Sequence, residues 1–167
     1  MIYRRLFVSM LVLGCLAVSG AILSTAHAEL KADPNAVLPT ETLAVTTSAG
    51  EFTFTIEVAD EDAERQQGLM FRETMLPTHG MLFEFQKTQV IYMWMENTVL
   101  SLDMIFIRPD GSVARIEENT KPYSRRVISS GEPVSHVLEL NAGMSRLIGL
   151  KRGDKVIHHF FNNTNKN

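Results

Sequence analysis

The chain has 167 residues, 45% of them apolar and 21% charged, with a formal net charge of −3. That composition excludes wholesale disorder, collagen-like repeats and a disulfide scaffold. The acidic balance, with arginines scattered along the chain, argues against a phosphate-backbone footprint, so nucleic acid is not an expected partner.

Arg4 and Arg5 precede an apolar run from Leu6 to about Leu23, which leads to Ala26-His27-Ala28. A positive start, a short apolar region and a small-x-small site predict a secretory signal over residues 1–28, cleaved after Ala28. The protein is therefore expected to be exported, to a bacterial periplasm or beyond the cell. Two alternatives stay open: lipidation at Cys15, and an uncleaved anchor, since the apolar run approaches the ~20 residues that span a bilayer. Removing 28 of the 167 residues leaves 139, and losing the two arginines takes the charge to −5. Cleavage also removes the only cysteine, and with it any disulfide, thiolate nucleophile or cysteine metal site.

Residues 29–41 are polar, contain Pro34 and Pro39, and read as a linker into a single β domain over 42–161. Glu41 to Thr47 is a first strand. Phe52 to Val58 alternates apolar and polar residues without a break, as a half-buried strand does. Asp60 is placed to cap a helix reaching about Leu69, with Glu61, Asp62 and Glu64 at its positive end. Beyond the Pro77–Gly80 turn, Met81–Phe85, Val90–Met95 and Leu102–Ile107 are predicted strands. Pro109-Asp110-Gly111 is a hairpin signal leading into Ser112–Glu118. Residues 119–134 read as a long loop with room for one short strand. His136–Leu140 is a strand, Asn141 to Gly149 a short helix, and Val156–Phe161 a closing strand; the tail 162–167 is expected to be disordered. Short strands separated by turns predict a mainly β fold, an antiparallel sandwich or pseudo-barrel with one or two short helices. An open α+β sheet is the alternative.

Five blocks in order carry a resemblance. They are Glu64-Arg-Gln-Gln-Gly-Leu-Met-Phe-Arg72, Gly80-Met-Leu-Phe-Glu-Phe85, Trp94-Met-Glu-Asn-Thr98, Leu102-Asp-Met-Ile-Phe106 and Val137-Leu-Glu-Leu-Asn-Ala-Gly143. Over about residues 42–160 the chain resembles the bacterial and archaeal family known as domain of unknown function 192. The resemblance implies a small, mostly antiparallel β domain of the pseudo-barrel or jelly-roll-like kind, often exported. It implies no activity and transfers no catalytic residue. The family usually has a lysine where this chain has Glu96, so a role needing a cation there is in doubt.

Charges inside apolar runs are the most informative residues: Glu84, Asp103 and Glu139. Facing water they cost nothing; facing inward they need partners, because an unpaired buried charge is prohibitive. Arg65 and Arg72, seven residues apart, would share a face if their helix continued, and a guanidinium meets a carboxylate bidentately. These residues therefore read either as a network tying helix to sheet or as a pocket. Trp94, with Asn97 and Thr98 beside it, can form a ligand platform, or pack in the core above a self-bonded turn.

Met70, Met75, Met81, Met93 and Met95 are clustered, with Met93 and Met95 on one strand face, which raises Cu(I) binding by soft ligands against ordinary core filling. His158 and His159 are adjacent in a predicted strand and would point to opposite faces, so no metal site is expected. No phosphate loop or nucleophile elbow is present, and no cofactor is expected.

The expected function is that of a non-catalytic exported protein binding a small ligand or an envelope partner. The candidate contacts are Arg65, Arg72, Trp94, Asn97, Thr98, Asp103 and Glu139. Membrane association is expected only through an uncleaved or lipidated N-terminus. Whether the protein is an enzyme stays open: a hydrolase using Asp103 and Glu139 as an acid/base pair and a Cu(I)-binding protein are the competing readings.

Overall fold

Strict alternation makes Thr40–Thr47 (β1) and Gly50–Ala59 (β2) into an antiparallel hairpin, closed by a turn in which Gly50 takes φ 131°. The computed structural model describes residues 37–161; the predicted signal, most of the linker and the tail lie outside the described residues. The helix α1 is short, Asp62–Gln67. The Glu64 carboxylate accepts hydrogen bonds from the Asp60 and Glu61 N–H groups, both 3.1 Å, and satisfies its start. It ends before the expected Leu69 because Gly68 turns to φ 47°, a conformation that favours glycine. A Cβ at Gly68 would also lie 3.1 Å from the Phe83 ring.

Seven further strands follow: β3 (His79–Gln89), β4 (Tyr92–Met93), β5 (Leu102–Ile107), β6 (Val113–Glu117), β7 (Ile128–Ser129), β8 (Val134–Asn141) and β9 (Lys155–Ile157). A second short helix, α2, spans Met144–Leu147, and a 3-10 turn, His159–Phe161, follows β9. Two predicted strands are shorter than their apolar runs suggest. Val90–Met95 keeps only Tyr92–Met93, because the Met95 N–H turns away to the Ser124 carbonyl (2.9 Å). Val156–Phe161 stops at Ile157, where the chain coils.

The main sheet has the order β6-β5-β8-β3-β2-β1-β9, and β4 pairs with β7 in a small second sheet. Every neighbour pair is antiparallel except β2 with β3, whose connection runs through α1 as a parallel crossover requires. The two outermost strands meet. Ser112 bridges Lys155, and the Val113 N–H donates to the Asp154 carbonyl at 2.9 Å. The sheet therefore curls into a pseudo-barrel and its edges are consumed, which removes an aggregation-prone rim. This is the predicted mainly β architecture; the open sheet is not formed.

Curling gives the sheet an inner and an outer face, each with its own apolar cluster. Leu43, Val45, Ile56, Leu82, Ile105 and Leu138 fill the inside. Met81, Phe83, Met104, Phe106, Val137 and the covering residues Leu69, Ile91 and Met95 form the outer cluster. With both faces covered, all six residues of β5 are buried, so its sequence is nearly continuous in apolar side chains.

Gly80 is the tightest point of the weave. A Cβ there would lie 2.5 Å from the Glu139 carbonyl oxygen and 2.7 Å from Leu140 Cδ2. Gly80→Ala is expected to cost ~1–3 kcal/mol through overpacking, read as a lower urea midpoint with an unchanged slope.

Candidate functional site

One row of residues crosses the outer face of the sheet. Glu57 on β2 is opposite Met81 on β3, Met81 opposite Glu139 on β8, Glu139 opposite Met104 on β5, and Met104 opposite Glu117 on β6. Paired residues point the same way, so three carboxylates alternate with two buried methionines on one face, with successive acids two strands or ~10 Å apart.

The outer two acids are held by the protein's own arginines. Arg72 grips Glu57 with two bonds of 2.8 and 2.7 Å, and the Leu38 N–H adds a third at 2.8 Å. Arg115 bonds Glu117 at 2.5 Å, and Arg126 bonds it as well. Glu139, between them, is 4% exposed and has no hydrogen bond or ion pair to its carboxyl among the described residues. Burial pushes its pKa up to about 8, so it is mostly protonated at neutral pH.

Glu139 lies against a cavity of about 290 Å³, at the small end for a small-molecule site. Phe83 and Phe85 of β3, Met93 of β4 with Trp94 just after it, and the Gly68–Met70 turn supply the apolar wall. The turn is there because Gly68 ends α1 early. Trp94 is 51% exposed, so its ring stands in the wall rather than in the core. Thr98 also lines the cavity, while its hydroxyl donates to the Glu96 carbonyl at 3.1 Å. Arg65 sits at the edge, 5.9 Å above the Phe85 ring. Its guanidinium is committed to the Glu84 carbonyl (2.9 Å), the Asp60 carbonyl and the Asp62 carboxylate.

Four of the seven candidate contacts thus gather at one cavity: Arg65, Trp94, Thr98 and Glu139. Three do not. Arg72 lies beyond the end of α1 and turns to Glu57, so the helix that would have put it beside Arg65 does not exist. Asn97 forms a turn at φ 54°, accepts the Phe71 N–H at 2.9 Å, and reaches Met70 Sδ at 3.9 Å.

Asp103 is opposite Leu140, one residue out of step with Glu139, and so points to the inner face. There it accepts N–H bonds from Asn119 (2.9 Å), Gly143 (3.1 Å) and Ser145 (2.9 Å), anchoring a loop and the start of α2. Asp103 and Glu139 are therefore not an acid/base pair; the sheet stands between them.

The remaining expectations separate in the same way. Met81 and Met95 are core, and Thr120 donates to Met95 Sδ at 3.2 Å; Met70 and Met93 line the cavity. Met75 and Met93 pack, partly buried, against the same outer cluster as Met81 and Met95. Glu96 pairs with the exposed Arg125 at 2.6 Å. The two adjacent histidines converge instead of diverging, because β9 stops before His158. Sequence reasoning missed Phe83, Phe85 and Tyr92 as cavity residues. The available signal was Gly68, a glycine following a helical pattern.

A family model described as "Uncharacterized ACR", domain of unknown function 192, matches residues 44–158. A crystal structure from Sinorhizobium meliloti 1021, described as a candidate transcription regulator, is 43% identical with a TM-score of 0.73, covering 75% of this chain and 98% of that one. A protein of unknown function from Novosphingobium aromaticivorans DSM 12444 is 36% identical with a TM-score of 0.72, covering 75% of this chain and 90% of its own. The search of curated proteins gave no match.

The two buried acids predict opposite outcomes. Unfolded, Glu139 ionises near 4.5; folded, at about 8, so between those values the folded state keeps a proton that the unfolded state has lost. Stability due to this group therefore falls as pH rises through that window. Glu139→Gln is expected to stabilise the protein by ~2–4 kcal/mol at pH 8 and to flatten its pH profile. Asp103→Asn, which strands N–H groups, is expected to cost ~3 kcal/mol. Urea unfolding of both variants across this pH range checks the signs.

Proposed function

The chain belongs to the domain of unknown function 192 family, which carries no assigned activity, and we propose its function from the cavity instead: it binds a small organic cation. An ammonium or guanidinium group would meet Glu139, with its apolar or aromatic body against Trp94, Phe83 and Phe85. The single observation behind this reading is the row of three acids. The chain supplies arginines to Glu57 and Glu117, and it leaves Glu139 without one, facing a cavity with aromatic walls. A cation entering there gains a charge-assisted hydrogen bond in a desolvated site and the attraction of the aromatic faces.

Export is part of the proposal and is supported by the pattern of residues 1–28. The role is one of binding rather than hydrolysis, since Glu139 has no second carboxylate on its own side of the sheet within the cavity except Asp62 at its edge. The small volume favours a free small molecule over a protein partner. The net charge of −3 gives no support to carrying over the transcription-regulator description of the Sinorhizobium relative.

Trp94 is the only tryptophan and stands in the cavity wall, so its fluorescence reports occupancy directly. Benzylammonium is expected to shift its emission saturably. Because the ligand binds the ionised carboxylate, affinity should rise ~tenfold per pH unit below pH 8. Glu139→Gln should weaken binding at least ~tenfold at pH 8 and remove the pH dependence. Equal or tighter binding of neutral benzyl alcohol, or unchanged affinity in the Glu139 variant, would overturn the proposal.

A further inference from the structure

We propose that Glu41, His158 and His159 form a Zn²⁺-binding site where the start of β1 meets the C-terminal turn. Two histidines in succession along a regular strand would point to opposite faces. Here β9 ends at Ile157 and the chain enters a 3-10 turn at His159, which swings the second imidazole around to the first. Their ring centroids lie 4.2 Å apart. Both Nε2 atoms meet one carboxylate oxygen, Glu41 Oε2, at 3.0 Å from His158 and 2.8 Å from His159. One donor atom from each of the three residues lies within 4.8 Å of the others, and among the described residues no other group of three has this property.

Those separations are close to what an ion requires. Zn²⁺ takes imidazole nitrogen and carboxylate oxygen at ~2.0–2.2 Å, so tetrahedral neighbours stand ~3.3 Å apart. The two nitrogen-to-oxygen separations, 3.0 and 2.8 Å, need to grow by only a few tenths of an ångström to admit it, and the third pair lies within 4.8 Å. Two imidazoles and a carboxylate suit a borderline ion of the Zn²⁺ class, whereas Ca²⁺ and Mg²⁺ prefer oxygen alone.

Burial, then the nearby His159, lower the His158 pKa against the pull of Glu41. Burial raises Glu41, but hydrogen bonds and charge from the two histidines outweigh it and keep the carboxyl below its ordinary value.

The setting is half wall and half opening. The His158 side chain is 2% exposed, and both imidazoles pack on the Phe160 ring, with centroids 4.8 and 4.3 Å away. Packing of this kind fixes ring orientation before any ion arrives. Glu41 and His159 are 42% and 58% exposed, so the outer side leaves coordination positions for water or a further ligand. The site shares no residue with the cavity beside Glu139 and does not depend on it.

The test is calorimetric titration of the purified full chain, free of metal and of any affinity tag, with Zn²⁺, alongside Glu41→Gln and His159→Ala. Both substituted side chains are partly exposed, so the fold should survive, and thermal unfolding verifies it. One equivalent of Zn²⁺ should bind, and each variant should bind at least ~30-fold more weakly. Co²⁺ in place of Zn²⁺ should give the visible absorption of a low-coordinate site, lost in both variants, while Ca²⁺ and Mg²⁺ give no heat. Absence of stoichiometric Zn²⁺ binding overturns the proposal, as does Zn²⁺ affinity unchanged in both variants.

Discussion

Covering both faces of one curled sheet is the constraint on which the rest of this structure depends. Once β6 and β9 meet and the sheet rolls into a pseudo-barrel, β5 and β8 have no solvent side, and the acids Glu57 and Glu117 on other strands of the sheet are largely covered. Each charged residue in those strands must then be bonded, paired or neutralised, because desolvation without compensation costs several kcal/mol per ion. The three outcomes all occur. Asp103 is saturated by backbone N–H groups, Glu57 and Glu117 are paired with arginines, and Glu139 holds its proton.

The contrast between Asp103 and Glu139 shows how strand register separates structure from function. Both are acids within apolar runs on adjacent, hydrogen-bonded strands. A single step of register sends one inward and the other outward. Inside, Asp103 ties the Asn119 loop to α2 and so joins distant parts of the chain. Outside, Glu139 meets a cavity wall assembled from segments that are far apart in sequence: Gly68–Met70, Phe83–Phe85 and Tyr92–Trp94. The proposed cation site rests on this buried carboxyl facing an opening.

Local chain breaks create both sites. Gly68 stops α1 after six residues and lowers Leu69 and Met70 onto Phe83. The end of β9 at Ile157 lets two neighbouring histidines face one carboxylate. In each case a short deviation from regular structure gathers side chains that regular periodicity would disperse.

The sequence by itself determined the secondary structure of the hairpin and the central strands, because alternation and turn residues act locally: Phe52–Val58, Leu102–Ile107 and the Pro109–Gly111 turn are where the pattern puts them. It also marked Glu139, Asp103, Arg65 and Trp94 as residues needing an explanation, since a charge in an apolar run is visible without coordinates. Tertiary structure decided which of them belong together. Register assigned Asp103 and Glu139 to opposite faces, and the end of α1 gave Arg72 to Glu57. The curl, closed by contacts between residues 112–113 and 154–155, decided that β5 and β8 would be buried on both faces. Pairing partners and cavity walls come from segments remote in sequence, and no local periodicity encodes that proximity.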